Sequence, residues 1–255
     1  MSKKFIVPLL NMEKALFEGV GRYGIPIIVG KVKEYDRTTK WIPFNYMQSD
    51  IKKNDPSKRG IHFHVHDYQF ERLWAAPDMY IDRLKQYRYV CSPEFSIYTN
   101  MPVAMQIWNH YRKHWVAAYL QMNGVNIIPT ITWALPQSFQ FVFDGEPTHS
   151  VVCVSTVGTM KTKDFYDNFW MGYQEMKDRL QPSQILFNGI IPEEIKDEVI
   201  PLERGYKLFD GKTYNKEDKE TLDTIAEAKR IAKDPNVTGY STFESLTAAL
   251  ESDDE

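Results

Sequence analysis

Residues 61–71 read Ile-His-Phe-His-Val-His-Asp-Tyr-Gln-Phe-Glu, with three imidazoles at alternate positions and a carboxylate directly behind them. On an extended chain His62, His64 and His66 share one face, and Ile61, Phe63 and Val65 take the other. Two alternate histidines on a strand can grip a metal ion, and His110 and His114, spaced one helical turn apart, make a second such pair. Nothing in the sequence joins the two pairs, and no HExxH pattern or cysteine pair accompanies them. The residues alone therefore assign no metal, and the imidazoles read as a satisfied polar strand face. A His-x-His pair also occurs in rolling-circle nickases, which combine it with a downstream tyrosine. Tyr111 and Tyr119 stand downstream here, but the usual Tyr-x-x-Lys pattern is missing. That reading would require a five-stranded antiparallel sheet.

Carboxylates offer a second chemistry. Asp67 and Glu94 are the expected catalytic pair, one acid and one base, if their strands are neighbours. The competing readings are a helix N-cap for Asp67 and a first-turn charge for Glu94. Tyr68 and Glu71, one turn apart, extend the polar cluster. Asn109 and Arg112 lie three apart on a long helix, where Arg112 suits an anion or, by default, an ion pair. "STVGT" (155–159) has the composition of a short phosphate-cradling turn, yet it lacks the lysine and glycine density of a Walker loop.

These side chains must be positioned by elements. "GIPIIVGKV" (24–32) and "WIPFNYM" (41–47) are strand-like, and "IHFHVH" (61–66) is the first regular strand. "QFERLWAAP" and "DMYIDRLKQY" are helical, with Asp78 as the cap of the second. Strand "RYVCS" (88–92) precedes a long helix that begins near Pro102 and stops at Asn123-Gly124. Its apolar face is expected to be Ala104, Trp108, Tyr111, Trp115, Ala118 and Met122. Then follow strand "VNIIPTITW" (125–133), a short helix at 137–143, strand "SVVCVSTVG" (150–158), a helix at 164–180 and strand "QILFNG" (184–189). Alternating strands and helices predict an α/β fold with a mostly parallel sheet, either open and doubly wound or an incomplete, irregular barrel. Residues 1–210 form the expected single domain, regular over about 61–200. Residues 211–255 are expected to be a charged helical appendage with an acidic tail, and Ser241 and Glu244 there form a capping-box pattern.

In such folds ligands bind outside the carboxyl ends of the strands. The side chains expected there are Asp67, Tyr68 and Glu71; Ser92 and Glu94; Thr130, Thr132 and Trp133; Ser155, Thr156 and Gly158; and Asn188. Hydroxyls, carboxylates and an indole on one rim suit a small phosphorylated or nucleotide-like molecule. The indole would stack on a ring, and a carboxylate would move a proton or hold Mg²⁺.

Composition narrows the classes. A chain of 255 residues with 43% hydrophobic and 25% charged residues can bury a core, and its net charge of −3 argues against bulk nucleic-acid binding. The start carries no signal-peptide pattern, and no run reaches the roughly 18–20 apolar residues of a membrane span. Cys91 and Cys153, the two cysteines, sit in separate apolar runs and suit reduced thiols in a cytoplasmic protein.

The ordered blocks "DYQFERLW", "CSPEFSIYTNMP", "QIWNHYR", "NGVNIIPTITW", "VVCVSTVG" and "ILFNG" resemble an uncharacterised family of bacterial and phage proteins, a domain of unknown function. The resemblance spans roughly residues 20–200 and implies a protein carried by phages or other mobile elements, with no activity attached. The family pattern has aromatic residues where His62-Phe63-His64 stand and aspartates at Glu94 and Asn100. The first departure weakens the metal and nickase readings. The second keeps a carboxylate at Glu94 and loses one at Asn100. Two function classes follow from the sequence: a protein that binds or acts on a small polar ligand, and a non-catalytic inhibitor or adaptor that binds a host protein.

Overall fold

A computed structural model describes residue 11 and residues 13–157 and 163–206. The expected appendage and tail (211–255) and Gly158 lie outside the described residues. The chain opens with an antiparallel hairpin of β1 (Gly19–Val20) and β2 (Ile25–Pro26). It continues through β3 (Lys40–Pro43), α1 (Met47–Asp50), β4 (Arg59–His62), α2 (Glu71–Ala75), α3 (Asp78–Leu84) and β5 (Tyr89–Cys91). The second half holds α4 (Val103–Met122), β6 (Ile127–Ile128), β7 (Val151–Ser155), α5 (Lys163–Leu180), β8 (Gln184–Asn188) and β9 (Val199–Pro201).

Two parallel sheets result, with strand orders β3-β4-β5-β6 and β7-β8-β9. Order in space follows order in sequence, as successive crossovers of one hand require. The sheets meet at both edges through single bridges, Thr130 with Cys153 and Trp41 with Arg204. The first seam carries Ile131 N–H to Cys153 O and Cys153 N–H to Pro129 O, both 2.8 Å. The second carries Trp41 N–H to Glu203 O and Gly205 N–H to Trp41 O, both 2.7 Å. One bridge per seam in place of a ladder leaves no closed barrel, and all seven strands of these sheets run one way.

Alternation along β7 shows why these strands read as unbroken apolar runs. Val152 and Val154 pack with Phe169, Tyr173, Met176 and Leu180 of α5, whereas Val151 and Cys153 join a cluster with Trp41, Cys91 and Leu186. Both faces are covered, so both must be apolar. The nickase reading required an antiparallel sheet, and the sheet that holds His62 is parallel throughout.

Several elements depart from the sequence reading. Strand β4 ends at His62, and His64 and His66 stand in the loop beyond it. Only Ile25–Pro26 of the 24–32 run and Ile127–Ile128 of the 125–133 run are strand, and β9 was not expected. The prolines at positions 26, 43 and 129 remove ladder donors, which shortens the runs they sit in. Asp78 is not a side-chain cap; its carboxylate accepts from Tyr119 Oη at 2.6 Å and pairs with Lys14. On α4, Trp115 and Ala118 are buried as expected, but Trp108 is 40% and Met122 60% exposed. The helix turns a polar row inward instead: Gln106, His110, Lys113 and Gln121 are buried. Each finds hydrogen-bond partners there, with Gln121 bonding both N and O of Val29 and Gln106 donating to Tyr98 O and Met101 O. Hydrogen-bonded polar side chains can occupy a core face, which an apolar periodicity cannot reveal, although Gln106 Oε1 and His110 Nδ1 are left without a partner.

Candidate functional site

A cavity of about 450 Å³ opens beyond the carboxyl ends of β5, β6 and β7. That lies within the roughly 300–1,000 Å³ of small-ligand sites. The loop after β5 supplies Glu94, Ser96, Ile97, Tyr98, Thr99 and Asn100; the β6 end supplies Ile131, Thr132 and Trp133. Ser155 and Val157 come from β7 and its turn, and Phe165, Asn168 and Phe169 from α5. Hydroxyls and amides alternate with four aromatic rings, and Glu94 is the one ionisable carboxylate among the described lining residues. Trp133 can lie against α5 because position 172 is glycine: a Cβ there would fall 2.1 Å from the indole nitrogen. The indole packs on Phe169 at 5.7 Å between ring centroids.

Behind Glu94 runs a buried chain. Glu94 Oε2 stands 2.5 Å from His64 Nδ1, and His64 Nε2 stands 3.4 Å from Cys153 Sγ. A carboxylate only accepts, so Nδ1 donates to Glu94, and Nε2 faces the Cys153 thiol on the other side of the ring. Burial, with Cys91 and Glu94 nearby, pushes the Cys153 thiol well up, which keeps its hydrogen in place. Cys91 and Cys153 are both free and buried. His64 is 1% exposed at its side chain and Glu94 24%, so the carboxylate alone faces the cavity. His62 stacks on His64 at 5.3 Å, and burial, His64 and Arg204 hold its imidazole well below the usual range. His66 stacks on Tyr68 at 5.9 Å.

The structure gathers only part of the expected rim. Glu94, Thr132, Trp133 and Ser155 line the cavity. Asp67 lies behind it as a clamp, accepting from Ser96 N–H at 2.9 Å and Ser96 Oγ–H at 2.7 Å, so it is neither a helix cap nor directly bonded to Glu94. Ser92 and Thr130 are fully buried and tied to each other through Thr130 N–H to Ser92 Oγ and Thr130 Oγ1–H to Ser92 O. Tyr68 is 76% exposed and is not among the residues that line this cavity. Glu71 pairs with Arg112, whose other nitrogen donates to Asn109 Oδ1 at 2.7 Å and whose guanidinium lies 4.1 Å over Phe95. Asn188 donates weakly to Ser155 Oγ, and Thr156 Oγ1 donates to Ile190 O at 2.7 Å. In "STVGT", Thr156 N–H bonds Asn188 O and Val157 N–H bonds Ser155 Oγ, so this part of the turn holds the protein's own acceptors.

Sequence reasoning missed the 96–100 loop, whose irregular pattern carries no period, and the α5 residues. It also passed over Glu146, which stands between the expected helix at 137–143 and the strand at 150–158.

The chain matches the family described as "Domain of unknown function (DUF4417)" over residues 17–207. It belongs to that family. Among curated proteins it is similar to the "Gene 1 protein" of Mycobacterium phage L5, 35% identical over 205 residues, covering 79% of this chain and 85% of that protein. It is also similar to the "Gene 1 protein" of Mycobacterium phage D29, 34% identical over 157 residues, covering 60% of this chain and 58% of that protein. No solved structure matches it. Among the described residues no helix is long and apolar enough to cross a membrane.

Proposed function

We propose that this domain of a phage protein family binds a small, ring-bearing polar molecule, such as a nucleobase or nucleoside, in the cavity beyond β5–β7. The carrying observation is that cavity, an aromatic-walled recess whose described lining holds a single carboxylate. Trp133 and Phe165 supply faces for a ring, Thr132, Ser155 and Asn168 supply directional hydrogen bonds, and Glu94 accepts from an N–H or O–H of the ligand. His64 is a positioning residue: it fixes the carboxylate from behind while Cys153 fixes the ring. If the domain is an enzyme, Glu94 moves the proton. Mg²⁺ would have one carboxylate here, the lower end of the one or two that such sites use beside waters and substrate phosphates.

Of the expected phosphorylated ligand, the reading keeps the ring and omits the phosphate. No described lining residue is cationic, and the described N–H groups of the 155–157 turn are engaged. The phage relatives and the reduced Cys91 and Cys153 support a place in the host cytoplasm.

Native mass spectrometry of the full chain purified from cell extract, followed by calorimetry with a nucleobase and nucleoside panel, tests this. Retention of a small molecule by the wild type and about tenfold weaker binding in Glu94→Gln, ~1.4 kcal/mol, are expected. An empty wild type that binds no member of the panel would overturn it.

A second reading, an adaptor for a host protein, has its own observation. Val103, Met105 and Trp108 on the first turns of α4 are 40%, 53% and 40% exposed. Trp108→Asp abolishing co-purification of a host protein, with ligand binding intact, would favour it.

A further inference from the structure

The inward face of α4 holds a second polar cluster that the cavity does not use. His110, Lys113 and His114 meet Glu146, from the loop before β7, and all four are buried. His114 Nδ1 lies 2.8 Å from Pro26 O and His110 Nε2 lies 3.1 Å from Asp144 O. A carbonyl accepts only, so His110 Nε2 and His114 Nδ1 each donate to the backbone, and the second nitrogen of each ring turns inward. His110 Nδ1 has no partner there, and His114 Nε2 meets the acceptor-only Glu146 Oε1 at 3.1 Å, so a proton or a metal ion must stand between those two atoms. Glu146 Oε2 is buried and likewise without a partner.

We propose that His110 Nδ1, His114 Nε2 and Glu146 Oε2 form a binding site for a divalent transition metal of the zinc class. Two imidazoles and a carboxylate are a usual ligand set for such ions, and metal-bound histidines characteristically donate their other N–H to a carbonyl. One ligand atom from each of His110, His114 and Glu146 lies within 4.8 Å of the other two. Bonds of about 2.0–2.2 Å in a tetrahedral shell place neighbouring donors roughly 3.3–3.6 Å apart, so the three side chains close by up to about 1.5 Å on binding. Two unpartnered atoms in one buried cluster are costly unless something joins them, and one cation satisfies both.

Lys113 is the rival cation. Its ammonium sits 2.5 Å from Glu146 Oε1 and 3.0 Å from Thr130 O. It holds one carboxylate oxygen and leaves the other, so the carboxylate bridges ammonium and metal, and water or hydroxide completes the ion's shell. The loop reaches this place because residue 145 is glycine, with φ +76°. A Cβ there would stand 2.5 Å from Pro26 O and 2.8 Å from His114 Nδ1.

The test is titration of the chelator-stripped full chain with Zn²⁺ and Co²⁺. One tight equivalent is expected, with cobalt d–d bands of a nitrogen and oxygen site and two paramagnetically shifted imidazole N–H resonances, one from each ring. His110→Ala should weaken metal binding by more than about 100-fold, and His66→Ala should leave it unchanged. A wild type that takes up no equivalent, or His110→Ala binding as the wild type does, overturns the site and leaves a buried ion pair. Should His110→Ala fail to fold by circular dichroism, the paired N–H resonances of wild type decide, and their absence overturns it equally.

Discussion

The cavity beyond β5–β7 and the cluster under α4 are both built from polar side chains, and they differ in what surrounds them. Around the cavity, the single carboxylate is partly wet, groups behind it form local pairs such as Asp67–Ser96 and Ser92–Thr130, and the unpartnered Thr132 Oγ1 and Asn168 Oδ1 belong to residues that line the open recess. Under α4, a lysine, two histidines and a glutamate are shut away from water, and two of their polar atoms have no partner. Removing a group from the first region should therefore change binding with little effect on folding. Removing one from the second should unsettle the fold, because a buried charge that loses its counterpart is expensive.

Breaking the cluster gives the largest expected effect. Lys113→Met leaves the Glu146 carboxylate buried without its ammonium and Thr130 O without its donor. Equilibrium denaturation should show a loss of about 3–5 kcal/mol. A loss under about 1 kcal/mol would mean the lysine is held elsewhere in solution. Next comes Gly145→Ala, which strains a left-handed backbone and crowds Pro26 and His114; about 1–3 kcal/mol is expected by the same method. At the cavity, Trp133→Ala should leave the denaturation midpoint within a few degrees of wild type while weakening a ring-bearing ligand by about 1–3 kcal/mol in calorimetry.

Acidity separates the regions too. His110, His114 and His62 have folded values below the ordinary 6.5, chiefly through burial. A lowered value contributes stability that is present above the unfolded pKa and is lost as pH falls toward the folded one. Stability should thus decline from about pH 6.5 downward. Glu146 adds to the decline below its ordinary 4.5: burial alone would raise it, but Lys113 and His114 outweigh burial and hold it low. Urea denaturation at successive pH values checks this, and a flat profile between pH 7.5 and 5.5 would count against buried neutral imidazoles. The smallest effect is expected at the half-exposed Glu71–Arg112 pair, where Glu71→Gln should cost under about 1 kcal/mol.

The same contrast explains what could be seen in the sequence. Strand-helix alternation revealed the parallel sheets because each crossover needs a helix between strands, and the apolar runs "VVCV" and "ILF" marked strands covered on both faces. The rim followed from strand direction, which led to Glu94, Thr132, Trp133 and Ser155. Asp67 and Tyr68 were misplaced because strand β4 ends at His62, and a loop turns them away from the mouth. The face of α4 was read from Trp108 and Met122, which are exposed, since apolar spacing carries no information about polar groups that find partners inside. Glu146 lies 32 residues from His114, and no local pattern joins them.

The most direct measurement is a backbone amide NMR titration of the full chain with the tightest-binding nucleoside of the panel. Saturable shifts should concentrate at Glu94, Ser96, Thr132, Trp133 and Ser155, and leave the amides of His110, His114 and Glu146 still. Shifts centred on the outer face of α4, or no saturable shift at any residue, would contradict a ligand seat at the carboxyl ends of β5–β7.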